Sequence, residues 1–387
     1  MHAECVQMNI GVLAHLARAR HWQCRGERFE SAILHMVIPE YTSLEEKGYD
    51  LNRKDVPHPF VDYQCIVDAD MFDMWYNVNI DQKDRFFRGI KEAKYKNFTS
   101  AQRLYFTNDY PNSGPYELVK AHIEEMRKVQ NGILPAFCES MNIPCTDLFL
   151  LSCSQHHMNG ISPLLDFTSD LNTALFFMCK DAKAPINGIG TDREPDINNF
   201  VSIYTANLFS KQISLQFLCD ALVKGIKQDA EKVLGEKNVS LSKILKKKQY
   251  QQGMADILKE HIVSFFTYPK IRAVLYEATK YNPILIENKP LKIKVEGYEA
   301  ETKLTISNLN MVAQHGCFLY HDKGITPLEE NLACVDVHKS LIPYIVNKYL
   351  KPNNICEVSL FPTEDNIVNE STFNTMASIV KNQDNED

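Results

Sequence analysis

Apolar residues recur at helical spacing in Val119, Ile123, Met126 and Val129, with charge between them, and predict a helix packed by one face. Pro115 and Glu117 open it, and a second helix follows over about residues 136–141. Leu148, Phe149, Leu150 and Leu151 then run into the polar string Ser154-Gln155-His156-His157. In Leu164, Leu165 and Phe167 the rhythm changes to that of a buried strand ending in Thr168 and Ser169. Asp170 is a good N-cap for a helix carried by Leu171, Ala174, Leu175 and Met178, and at such a corner the first helical amides are available to a hydroxyl or a phosphate.

The same reading gives an aromatic helix around residues 71–76, a strand from Arg85 and another over residues 200–204. A long helical block runs from about residue 212 to 261, and a strand covers residues 283–286. Residues 311–320 read as a strand or hairpin interrupted at Gly316. A last helix is defined by Leu341, Ile345 and Tyr349, with Pro343 tolerated in its first turn. Near the N-terminus Ile10, Val12, Leu13 and Leu16 predict a short amphipathic helix, and residues 32–39 read as a strand or a buried helix end. Turn-formers over residues 185–195 make a surface loop without a phosphate fingerprint, and the polar tail after about residue 372 reads as disordered.

Composition narrows the class. The chain has 387 residues, 44% hydrophobic and 24% charged, as expected of a soluble globular protein. Its net charge of -7 argues against a surface devoted to wrapping nucleic acid, although Lys243, Lys246, Lys247 and Lys248 form a local basic cluster. Eleven cysteines without a CxxC pair imply reduced thiols and a cytoplasmic location. Residues 8–16 are interrupted by Asn9, Gly11 and His15, so neither a signal peptide nor a membrane contact is expected. Neither metal-ligand spacing nor a Gly-x-Ser-x-Gly elbow is present.

Several short strings remain that packing does not explain. They are Arg85-Phe86-Phe87-Arg88-Gly89, Asn97-Phe98-Thr99-Ser100-Ala101-Gln102-Arg103, Gln155-His156-His157, Leu164-Leu165-Asp166-Phe167-Thr168, Gln314-His315-Gly316-Cys317-Phe318 and Leu360-Phe361-Pro362. In this order they resemble the FRG domain family over about residues 84–370, with residues 1–83 as an accessory region packed on the core and 371–387 as a tail. Residues 157–163 depart from the family, being one residue longer and lacking its arginine.

The order of these strings is in turn similar to the ADP-ribosyltransferase fold, an α+β architecture with a split, strongly bent mixed β-sheet, several flanking helices and an Arg-Ser-Glu type of triad along a cleft that clamps NAD. That resemblance implies NAD as co-substrate, Arg88, Thr168 and Gln314 as catalytic residues, and Arg88, Gly89, His156, Asp166, Thr168 and Ser169 as NAD-binding residues. Gln314 cannot supply the negative charge that cleavage of the nicotinamide bond calls for, so Asp166 or a carboxylate of Glu329 or Glu330 would have to. The implied activity is ADP-ribosyl transfer to a protein, RNA or DNA acceptor, by a toxin or defence effector paired with an antitoxin or regulatory protein. NAD glycohydrolysis and non-catalytic nucleotide binding are the alternatives.

Overall fold

The computed structural model describes residues 37–49, 59–107, 114–155, 160–185, 195–207, 213–265, 284–287, 289–305, 308–363, 367–368 and 371–372. The helix expected near residues 10–20, the His156-His157 pair, most of the 185–195 loop and the polar tail lie outside them. The described residues belong to one compact unit.

An eight-stranded mixed sheet organises this unit. Its strands are β1 (Asp62–Ile66), β2 (Arg85–Ile90), β3 (Leu164–Thr168), β4 (Phe200–Asn207), β5 (Ile213–Ser214), β6 (Ile284–Glu287), β9 (Gly316–Tyr320) and β10 (Leu332–His338), while β7 (Leu291–Val295) and β8 (Tyr298–Thr302) pair as a separate hairpin. The order is β1-β10-β4-β2-β3-β9-β6-β5, parallel only between β1 and β10 and between β5 and β6. Residues 62–66, upstream of the family-like strings, thus enter the sheet as an edge strand.

Near its middle the sheet nearly parts. Six residue pairs join β2 to β4 and five join β3 to β9, but β2 and β3 share only Phe87 with Thr168. Side-chain alternation distributes the core around this seam. Phe86, Leu165, Phe167, Tyr204 and Leu319 build a cluster that spans both halves of one face. On the other face Phe87, Val201, Ile203 and Val335 pack with α1 (Ala69–Asn79), α5 (Leu171–Cys179) and the helical segment of residues 339–350. Beyond the seam Leu164, Ile284, Phe318 and Tyr320 pack under α3 (Pro115–Ser140), α4 (Asp147–Gln155), α6 (Leu215–Gly235), α7 (Leu241–Ile244) and α8 (Lys248–Phe265).

Two expectations are corrected. Val119 and Ile123 are buried as the periodicity requires, but Val129 is 54% exposed, because Gln130, Asn131 and Gly132 adopt left-handed backbone and break α3 there. Residues 311–320 are not a single strand. Asn308 caps a short helix, α9 (Leu309–Ala313), by accepting from Met311 N at 2.8 Å. His315 at φ 48° turns the chain into β9, so Gln314 closes a helix instead of standing on a strand.

The edge of the sheet is pinned from inside. Lys47, fully buried, donates to Asp336 Oδ1 at 2.6 Å, Ser202 Oγ at 2.9 Å and the Ala93 carbonyl at 3.0 Å, which uses all three of its protons. Tyr63 donates to the other Asp336 oxygen at 2.8 Å, so this buried charge pair is satisfied by β1, β4 and β10 together.

Candidate functional site

A cavity of about 710 Å³ opens where β2 and β3 diverge. The strand-to-helix corner on its floor forms as the residue types dictate. Asp170 accepts from Asn172 N at 3.2 Å and from Thr173 N and Oγ1 at 2.9 and 2.6 Å, a full N-cap for α5. The helix then buries Leu171, Ala174, Leu175 and Met178 against the sheet, about 1.5–3 kcal/mol for each large side chain. Because Asp170 takes these amides, they do not form the open anion site that the sequence implied.

Gly89 lets α5 approach. A Cβ placed there would lie 1.9 Å from the Ala174 carbonyl oxygen and 2.7 Å from Met178 N. Gly160 has the same role beyond the Gln155-His156-His157 string, since its Cβ would meet the Ser154 carbonyl oxygen at 1.8 Å. Both glycines are required by contact with a neighbouring backbone.

Arg88 bridges the seam. One step past the last shared residue pair, its Nη1 donates to the Asp166 carbonyl oxygen at 2.8 Å and stands 4.0 Å from Asp166 Oδ2. Its Nε is buried without a hydrogen-bond partner among the described residues. Burial lowers its pKa, with the Asp166 carboxylate opposing the shift.

Asp166 is the outlier of its strand, 57% exposed at the side chain between buried neighbours, and Gln155 Nε2 donates to its Oδ2 at 2.7 Å. The carboxylate is therefore oriented yet open to the cavity. Arg103, on α2 (Ser100–Thr107), reaches the same space and is anchored by donating to the Phe98 carbonyl oxygen at 2.6 Å. Burial, joined by the charge of Arg88, pushes Arg103 down to about 10, still cationic at neutral pH.

Arg88, Gly89, Asp166, Thr168 and Gln314 all line the cavity. Their side chains are not equally free. Thr168 Oγ1 accepts from Asp170 N at 2.9 Å and donates to the Gln314 carbonyl oxygen at 2.6 Å, so its hydroxyl joins the corner to the end of α9. Gln314 Nε2 donates to the Leu360 carbonyl oxygen at 2.9 Å, which ties two of the short strings together in space. Ser169 is exposed and does not line the cavity, and its Oγ lies 3.5 Å from the His315 carbonyl oxygen. His156 lies outside the described residues. Glu329 is buried away from the cavity, and the exposed lysines at 243 and 246–248 do not line it.

Contributors that were not assigned from sequence include Arg103, Lys96, Phe177 and Phe361. Phe177 and Phe361 meet edge to face at 5.9 Å, and Lys180 Nζ lies 4.7 Å from the centre of the Phe361 ring. Lys96 sits over the Tyr41 ring at 4.6 Å. Arg103 and Phe361 belong to strings visible in the sequence, but nothing in local periodicity shows that they converge.

Among the described residues no helix is long and apolar enough to cross a membrane, and no group of His, Cys, Asp and Glu is arranged to hold a metal. No curated protein and no solved structure matches the chain. Residues 83–186, which supply Arg88, Gly89, Arg103, Asp166, Thr168 and Phe177, match the family model of the FRG domain, and the chain therefore carries an FRG domain.

Proposed function

We propose that this cavity binds NAD and that the protein is an ADP-ribosyltransferase acting on a cellular macromolecule. The observation that carries the reading is the pairing of Arg88 and Asp166 across the divergent strands, a fixed cation and a solvent-facing carboxylate in one cavity of nucleotide size. A mixed sheet that loosens between β2 and β3 supports an ADP-ribosyltransferase type of core.

The chemistry follows from the charges. Arg88 offers a planar donor set to the pyrophosphate. Breaking the bond between the nicotinamide nitrogen and the ribose leaves positive charge on the sugar, and Asp166, held by Gln155, faces it with a carboxylate. Asp166 thus takes the part that Gln314 cannot. Thr168 and Gln314 act as positioning residues, because protein groups already engage the threonine hydroxyl and the glutamine Nε2. Gln314 Oε1 is left to accept from a ribose hydroxyl. Phe177 and Phe361 present ring surface for an aromatic base.

The test is incubation of the purified protein with labelled NAD and a cell lysate, beside Arg88→Ala and Asp166→Asn. Nicotinamide release and label on protein or nucleic acid are expected from the wild type, with both lost in the two variants while circular dichroism stays unchanged. Release without transfer would select NAD glycohydrolysis. Neither release nor transfer would overturn the enzymatic reading and leave nucleotide binding alone.

A further inference from the structure

We propose that Arg103 is a second anion-binding residue beside Arg88, and that the two guanidinium groups restrict the cavity to ligands bearing a diphosphate. The inference rests on reading the cavity as a nucleotide site and adds what part of the nucleotide is selected.

The ionisable lining carries more positive charge than it can neutralise. Arg88, Lys91, Lys96 and Arg103 face Glu40 and Asp166. Glu40 is already paired with Lys94 at 3.0 Å, and Asp166 accepts from Gln155. Arg88 bonds a backbone carbonyl of Asp166, with that carboxylate no nearer than 4.0 Å, and Arg103 bonds the Phe98 carbonyl. Both arginines are therefore held in place by carbonyl acceptors, and the one carboxylate near them, Asp166, is shared with Gln155 and offsets only part of their charge.

Two like charges that line one cavity repel each other, and folding alone gains nothing from that. The lowered pKa of Arg103, caused first by burial and then by Arg88, expresses the same repulsion. A single phosphate satisfies one planar fork, whereas a diphosphate presents acceptor oxygens to two. The buried Arg88 Nε, without a partner among the described residues, remains a donor for such a group. A nucleoside supplies no counter-charge to either guanidinium and gains nothing from them.

Titration calorimetry at fixed ionic strength decides this, with ADP-ribose, AMP, adenosine and inorganic pyrophosphate as probes on the full chain. Wild-type protein should bind ADP-ribose and pyrophosphate, bind AMP more weakly, and fail to bind adenosine. Arg103→Gln should lower ADP-ribose affinity about 10- to 100-fold, as expected for loss of a charged hydrogen bond, and should lower AMP affinity less. Arg103→Lys should recover only part of the loss, because an ammonium lacks the planar fork. Adenosine binding as tightly as ADP-ribose overturns the proposal, and so does Arg103→Gln binding ADP-ribose within twofold of wild type. The wild-type ligand series stands even if a variant is unstable. Arg103-dependent diphosphate binding without NAD turnover would support this inference and refute the enzymatic reading; turnover indifferent to Arg103 would do the reverse.

Discussion

Gly89→Ala isolates the contact that holds α5 against the seam. The new methyl carbon would stand 1.9 Å from the Ala174 carbonyl oxygen, where ordinary contact begins near 3.4 Å, so helix and strand must separate locally by about 1.5 Å. The second obstacle, Met178 N at 2.7 Å, is also backbone, and no rotamer change relieves either. Overpacking a core costs about 1–3 kcal/mol. Here the upper end applies, because the helix that must retreat is anchored by the fully buried Leu171, Ala174, Leu175 and Met178. The expected loss is about 3 kcal/mol, read from the midpoint of a urea titration with an unchanged slope. Since Arg88 is the adjacent residue, its bond to the Asp166 carbonyl should loosen and ligand affinity should fall as well. A destabilisation below about 0.5 kcal/mol, the range of an ordinary surface substitution, would refute the reasoning.

Two further outcomes concern buried charge. Lys47→Met strands the Asp336 carboxylate in the core and should cost about 3–5 kcal/mol in chemical denaturation, most of it regained by adding Asp336→Leu; a neutral single variant would show that the pair is not needed. His321 is buried and neutral, its Nε2 donating to the Thr326 carbonyl oxygen at 2.6 Å, and burial pushes its pKa down to about 4 from 6.5. As pH falls through this window the unfolded chain takes up the proton first, so stability is full above pH 6.5 and declines toward pH 4, by up to about 3 kcal/mol. His321→Gln should flatten that slope, and an unchanged pH profile would exclude His321 as its source.

Much of the site's framework is legible in the sequence because it is local. Leu164 to Asp170 specify strand, corner and cap within seven residues, and the structure follows them closely. The helix break after Val129 escaped because left-handed Gln130 and Asn131 carry no strong local signature beside Gly132. Gln314 was misplaced for a related reason: Met311 to Tyr320 are apolar enough for a strand, and only the Asn308 cap reveals that the first few are helical. What the sequence cannot show is convergence. Arg88, Arg103 and Phe361 meet because sheet order brings distant segments to one seam.

The pairing of β1 with β10 also bears on how the chain is made. Asp62 lies beside Ala333, and Lys47 finds its carboxylate in Asp336. During synthesis the edge strand must therefore wait, with its backbone unpaired, until β10 has left the ribosome, and contacts so distant in sequence favour slow folding. A nascent chain stopped before Leu332 leaves β1 and β4 without their shared neighbour and Lys47 without Asp336. Such a fragment should be prone to aggregation, recruit chaperones and be sensitive to proteases, with the susceptibility disappearing only once β10 has emerged.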